Sequence, residues 1–361
     1  MKAAVCYEFG QPLVVEEVDI DPPQLGEVKV RMVATGSCHS DLHLMHGDWG
    51  GTLPMLAGHE GAGIVDCIGP GVTRVKPGDH VVVSLLRSCG CCEYCDTGMP
   101  HLCSGKFALQ DESRLRTKSG KPITQGLYTG AFAEYVIVDQ SQLVIVPDAM
   151  PLESAALLAC GVITGLGAVV NRAQVRPGSS VVVIGVGGVG LNSVQGAHLA
   201  GAHPIIAVDV LDGKLDIAKT FGATHVVNSK TDDLQAHIAK ITNNRLADFV
   251  FVTTGVPAAA AQAYDLAAKR GMVVFVGIPN WTAQVSLPIA SIVVSEKMIT
   301  GSAMGSTRLN VDVPRLVALY EQRRLKLDEL ITARYSLSQI NEAIRSTESG
   351  IAVRNVILFD Q

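Results

Sequence analysis

Two short runs hold the donors that metals and protons use: Cys38-His39-Ser40-Asp41-Leu42-His43 and Gly58-His59-Glu60. They contain a thiol, three imidazoles, a hydroxyl and two carboxylates, set between strand-like, Gly-flanked segments. Zn²⁺ is borderline soft and selects thiolate and imidazole. A catalytic zinc typically takes three protein ligands and leaves a fourth position open. Cys38 and His59 would be two of the three. Taken alone, the stretch reads equally well as a polar loop with one buried cysteine, so its meaning depends on the rest of the chain.

A second cluster is more specific. Cys89-Gly90-Cys91-Cys92-Glu93-Tyr94-Cys95 is closed by Cys103 after a short loop. Thiolates from Cys89, Cys92, Cys95 and Cys103 can wrap one Zn²⁺ tetrahedrally and leave no position for chemistry, which marks a structural site. Cys91 falls between ligands. An iron–sulfur cluster needs another spacing and disulfides another compartment. Cys160 follows an apolar run, where a cysteine is ordinarily just buried. Its position, where one domain gives way to the next, makes it the candidate third ligand.

The third constellation is Gly185-Val186-Gly187-Gly188-Val189-Gly190. It follows the β-branched run Ser180-Val181-Val182-Val183-Ile184, opens a helical run from Leu191 to Ala200, and precedes a second strand ending in Asp209. The acid stands about twenty residues on, as a dinucleotide-binding turn requires. Glycines let the backbone approach a pyrophosphate, and the helix N-terminus offers N–H groups and partial positive charge. Asp209 would accept from the adenosine ribose and repel a 2′-phosphate, which favours NAD over NADP.

These groups need elements to hold them. From Met1 to about Val83 short strands alternate with breakers such as Asp21-Pro22-Pro23 and Lys76-Pro77-Gly78-Asp79, the pattern of a small β-barrel or sandwich. Ser40 is placed to cap a helix through His43, which would put Ser40 and His43 on one face as a proton relay. Asp41 reads either as an acid at the helix start or as the carboxylate that orients a ligating histidine. A polar loop runs from Phe107 to Gly130, and Gly130 to Val138 returns to strand. Pro147 to Leu158 is expected to be helical. Beyond Gly185, strand-like runs at Thr224–Val227, Phe249–Val252 and Met272–Val276 alternate with helical stretches and predict a doubly wound parallel sheet. Val313–Gln322 and Leu337–Thr347 read as helices before a last strand, Val353–Leu358.

The bulk properties agree. A chain of 361 residues, 48% hydrophobic and 17% charged, suits two well-buried domains. A net charge of -5 without a basic run argues against nucleic acid as a partner. No apolar run could span a bilayer, and the start lacks the apolar core of a signal peptide, so a cytoplasmic protein is expected. Clustering among its 9 cysteines fits metal binding in a reducing compartment.

Taken together, Gly58-His59-Glu60, the Cys89/Cys92/Cys95/Cys103 set and Gly185–Gly190 resemble the zinc-dependent medium-chain alcohol dehydrogenases essentially from end to end. The resemblance implies an α/β protein with a GroES-like β-barrel catalytic domain over 1–161 and 303–361. It implies a Rossmann coenzyme domain over 162–302. It implies two Zn²⁺ per chain, NAD(H) as cofactor and a homodimer, with a homotetramer as the alternative. Cys38, His59 and Cys160 would hold the catalytic zinc, with Glu60 beside it as an occasional further ligand. Ser40 would take the alcohol proton and pass it through the cofactor ribose towards His43, while Asp41 buttresses His59. Thr164 and Ile278 belong to the implied cofactor set with Gly185, Gly187, Gly188, Val189 and Gly190. Asp209 and Lys214 would hold the adenosine ribose, and His39 and Arg354 the pyrophosphate. His39 stands where many relatives have arginine, which implies a looser grip. Trp49, Leu85 and Phe107 would line a pocket for medium-sized apolar or aromatic alcohols. The glutathione-dependent formaldehyde dehydrogenase branch usually has an arginine where Phe107 stands, which disfavours S-hydroxymethylglutathione as substrate. Zinc-independent quinone or enone reductases share the fold but lack the ligand trio.

Overall fold

The computed structural model describes residues 1–360 and divides into two units: Met1–Cys160 with Arg308–Gln361, and Gly161–Thr307. The catalytic segment was expected to resume near residue 303; here residues 303–307 remain with the second unit.

The first unit is built on two sheets. One runs in the order Leu143–Ile145, His80–Val83, Glu60–Ile68, Glu27–Ser37, Arg354–Leu358, Ile331–Ser336, with Tyr135–Asp139 also paired to Glu27–Ser37. The other runs Leu115–Thr117, Val14–Ile20, Lys2–Cys6, Met55–Leu56, Thr124–Gln125. Val5, Val30, Phe132 and Ile357 belong to one buried cluster that fills this unit. Strand Glu27–Ser37 alternates buried and half-buried residues, then is buried on both faces from Ala34 to Ser37. Its end therefore delivers Cys38 from a fixed, solvent-free strand, flanked by Glu60 opposite Gly36 and Asn355 opposite Ser37.

Several expectations here are corrected. Residues 107–130 are not one loop, because Leu115–Thr117 and Thr124–Gln125 join the smaller sheet. The segment is pinned by Arg114, whose Nε and Nη2 donate to Glu27 Oε2 and Oε1 at 2.9 and 2.7 Å in the interior. A buried bidentate pair of this kind hides inside what looks like a run of surface charges. Strand returns only at Tyr135, since Ala131 to Glu134 bond irregularly to residues 57, 58 and 2. Between Pro147 and Pro151 there is no helix; regular structure starts at Leu152 and closes as a 3₁₀ turn through Ala159. Proline disfavours helical geometry in the residue before it, which explains the late start. Val313–Gln322 is a longer helix, Leu309–Glu321.

The second unit is a six-stranded, wholly parallel sheet in the order His225–Asn228, Ile205–Asp209, Val181–Ile184, Ala247–Val252, Ala267–Phe275, Met298–Gly301. Val182, Ile206, Val250 and Val273 form the middle of its core. Central strands of such a sheet are covered on both faces, and Val181–Ile184 is accordingly buried throughout. No single helix among the described residues is long and apolar enough to cross a membrane.

Candidate active site

Cys38, His59, Glu60 and Cys160 each present one donor atom, and all four atoms lie within 4.8 Å of one another in the interior of the first unit. Cys38 is the residue that caps helix His39–His46, in extended geometry; Ser40, expected in that place, lies inside the first turn and is half-buried. The shift has a local cause: the strand runs to Ser37, so the helix begins immediately after it.

Asp41 ties the two ligand-bearing segments together. Its Oδ2 accepts from Cys38 N at 3.2 Å, closing the helix start. Its Oδ1 accepts from Gly58 N at 3.0 Å and from His59 Nδ1 at 2.9 Å. The two readings of Asp41, helix acid and histidine support, are thus one arrangement. With Nδ1 donating, the lone pair of His59 sits on Nε2, which is buried and makes no hydrogen bond to a described residue. Gly58 holds φ +94°, and a Cβ there would sit 2.6 Å from Phe132 N, so the turn that presents His59 needs glycine.

The charges around the donors are also fixed. Cys160 donates to Cys38, which pulls the Cys38 thiol well below its ordinary value and pushes Cys160 up, and Arg354 favours the Cys38 thiolate further. Burial pushes Glu60 up to about 7 against the opposing charge of Arg354, whose Nη2 lies 3.2 Å from Glu60 Oε1. A buried, polar, S/N/O donor set with an orphan imidazole nitrogen fits a zinc ion held by Cys38, His59 and Cys160. Replacing Asp41 by asparagine is expected to weaken zinc binding about 10–100-fold while circular dichroism stays unchanged. Equal zinc affinity in the two proteins would remove Asp41 from this role.

Further donors form a second group. Cys89, Cys92, Cys95 and Cys103 also lie mutually within 4.8 Å. Cys103 Sγ accepts from Cys89 N at 3.2 Å and Gly105 N at 3.3 Å, which fixes the sulfur in place. Backbone donation from Cys95 lowers Cys92 to about 6. Cys91 is exposed, outside the group. Four sulfurs and no other donor fit a closed zinc site.

Around these centres, His43 Nδ1 meets Asp48 Oδ2 at 2.7 Å, and the His43 ring stacks on Trp49 with centroids 5.2 Å apart. His39 is the exposed first residue of the helix, whereas Arg354 is buried beside Glu60. Leu85 is half-buried, and Phe107 stacks with Arg87. Nothing in the local sequence of Arg87 sets it apart from a surface arginine. The approach of Arg354 to Glu60 likewise depends on strand pairing and has no local sign.

In the second unit, Gly185 holds φ +87° directly after its strand, and helix Gly188–Leu199 starts with Gly187 as its cap. Asp209 Oδ2 accepts from Val186 N at 2.9 Å, while Oδ1 accepts from Val210 N at 2.8 Å and Leu211 N at 3.2 Å. The acid therefore braces the glycine turn from the next strand. Beside Gly187 the space is open apart from one ammonium: Lys214 Nζ would lie 4.0 Å from a Cβ built there. A glycine turn on a helix start, with a cation beside it, fits a dinucleotide pyrophosphate. Thr164 is buried and donates to Met304 Sδ at 3.6 Å, and Ile278 is exposed.

Known proteins match along the whole chain. Residues 24–148 match the family described as alcohol dehydrogenase GroES-like domain, and residues 188–322 the family described as zinc-binding dehydrogenase. An NDMA-dependent alcohol dehydrogenase of Amycolatopsis methanolica is 40% identical, over 99% of this chain and 98% of its own. Alcohol dehydrogenase B of Mycobacterium tuberculosis is 38% identical, also over 99% and 98%. Benzyl alcohol dehydrogenase from Acinetobacter calcoaceticus superposes with a TM-score of 0.93 at 35% identity, over 99% of each chain.

Proposed function

From its membership of the zinc-binding, GroES-like medium-chain alcohol dehydrogenases, as an oxidoreductase acting on alcohols, we propose that this chain uses zinc and NAD. Its reaction is the reversible oxidation of primary or secondary alcohols, of medium size and apolar or aromatic, to aldehydes or ketones. The observation that carries this reading is the convergence of Cys38, His59 and Cys160 on one buried point, with His59 fixed by Asp41.

Zinc bound there supplies Lewis acidity, lowering the pKa of an oxygen that it binds. The protein does the rest. Asp41 keeps the Nε2 lone pair of His59 directed at the donors, and Cys38 contributes a thiolate whose charge Arg354 balances. Ser40, half-buried on the first turn, takes the hydroxyl proton, and His43, one turn along the same face, passes it outward. Burial of the donors excludes bulk water from the reacting oxygen. The glycine turn and Lys214 hold the pyrophosphate, and Asp209 the adenosine ribose.

The test is oxidation of benzyl alcohol with NAD, NADP or NDMA as acceptor, with metal analysis of the same sample. NADH formation by a protein holding about two zincs per chain supports the reading; turnover with one zinc sinks the catalytic-metal assignment. The A. methanolica relative is named for NDMA dependence, which favours a second reading with an acceptor other than free NAD. Turnover confined to NDMA would select it. Asp209→Gly should narrow the preference for NAD over NADP by about tenfold, because it removes the ribose acceptor and the repulsion of a 2′-phosphate together. An unchanged ratio would separate Asp209 from cofactor choice.

A further inference from the structure

Arg87 belongs to none of these roles, yet its surroundings are built. Its guanidinium carbon lies 3.7 Å from the centroid of the Tyr128 ring and 4.6 Å from that of Phe107. Among the described residues its N–H groups make no hydrogen bond and no ion pair. Tyr128, Asp139 and Cys103 act on its charge, and Asp139 spends Oδ1 on Ser141 N and Oγ at 2.8 and 2.6 Å. Two aromatic rings therefore lie against the guanidinium in cation–π contact while its N–H groups remain available to a ligand.

The rings and the arginine are held in register by buried polar groups. Gln142, fully buried, donates from Nε2 to Ser84 O at 2.8 Å and Tyr128 O at 3.1 Å. One side chain thereby ties the segment that carries Arg87 to the turn that carries Tyr128. That turn is left-handed at two non-glycine residues, Leu127 (φ 48°) and Tyr128 (φ 60°). Such geometry persists only where the surroundings over-determine it, and it concentrates at functional sites. Ser88 N donates to Ser141 Oγ at 3.0 Å and fixes the other side of Arg87.

This assembly is anchored to the metal centre. Ser84 Oγ donates to Ala159 O at 2.7 Å, the carbonyl directly before Cys160. Three Cα steps separate Ser84 from Arg87, a reach of at most about 11 Å. Leu85 and Arg87 are half-buried while Leu86 between them is buried, so both turn away from the core.

We propose that Arg87, with Phe107 and Tyr128, forms a subsite for a carboxylate at the far end of the substrate, so that the preferred alcohols carry an anionic group remote from the hydroxyl. The planar fork pairs with both carboxylate oxygens, and the rings hold its plane and shed its water beforehand. This rests on the alcohol-oxidising reading above and narrows its substrate class.

The test compares kcat/KM for benzyl alcohol, 4-(hydroxymethyl)benzoate and S-hydroxymethylglutathione in the zinc-loaded enzyme, for the unmodified protein, Arg87→Gln and Arg87→Lys. The unmodified enzyme should favour an anionic alcohol over benzyl alcohol by about tenfold or more. Arg87→Gln should lower that ratio about 10–100-fold, mainly through KM, and Arg87→Lys should restore part of it, because the charge returns without the fork. Preference for the benzoate identifies an aryl carboxylate, and preference for the glutathione adduct alone identifies a peptide carboxylate. If no alcohol is oxidised, the reading of the reaction fails. If benzyl alcohol is oxidised without any anionic preference, or Arg87→Gln keeps the preference, the subsite fails and Arg87 only staples the 107 and 128 segments together. The comparison within the unmodified enzyme stands even if a variant does not fold.

Discussion

Replacing Cys160 by alanine is expected to lower alcohol turnover by about a thousandfold or more and to reduce zinc from two ions per chain to one. Loss of metal activation is worth several kcal/mol of barrier, and each 1.36 kcal/mol is about tenfold in rate. The side chain is one of the buried donors that converge within 4.8 Å, and its removal leaves Cys38 and His59 with only the Glu60 carboxylate, already engaged by Arg354, to complete the set. The four-sulfur group over residues 89–103 is untouched by the change, so it should keep its metal and the fold should survive. Elemental analysis and thermal unfolding on the same preparation separate these outcomes. A variant that retains both turnover and two zincs would take Cys160 out of the metal shell.

Gly190→Ala should cost cofactor affinity about a hundredfold, or about 2.7 kcal/mol, and destabilise the second unit by about 1–3 kcal/mol. A Cβ at this position would sit 1.9 Å from Gly185 O and 2.8 Å from Thr253 Oγ1. Thr253 already donates to the Gly185 carbonyl and to Ile184 O, so neither neighbour can swing aside. Relief requires helix Gly188–Leu199 to lift off its strand, which carries its N–H groups away from the pyrophosphate position. NADH titration by fluorescence and a thermal melt measure the two effects. Undiminished NADH binding would mean that this turn does not cradle the cofactor.

The donors were legible because chemistry restricts their types. Cys38, His59 and the 89–103 cysteines stand out by identity and spacing alone, and the glycine turn stands out because a β-branched strand precedes it. Legibility failed where long-range pairing decides. Arg354 meets Glu60 only because Arg354–Leu358 pairs beside Glu27–Ser37, which in turn pairs with Glu60–Ile68. Leu115–Thr117 is a strand only because Val14–Ile20 offers it an edge. Ser40 lost the cap position to Cys38 because the preceding strand runs on to Ser37. Arg87 could not be recognised, since its meaning comes from Phe107 and Tyr128, residues distant in sequence from it and from each other.

The pairing of Asn355 with Ser37 also sets a timetable. During synthesis the Gly161–Thr307 unit is one uninterrupted segment and can close on itself as soon as it emerges. The stretch bearing Cys38, His59 and Cys160 emerges earlier but cannot finish, because the strand that flanks Ser37 and brings Arg354 to Glu60 follows the whole Gly161–Thr307 unit in the chain. Contacts so far apart in the chain are slow to form. The parallel-sheet unit is therefore expected to close before the buried donor cluster of the first unit has its final neighbours.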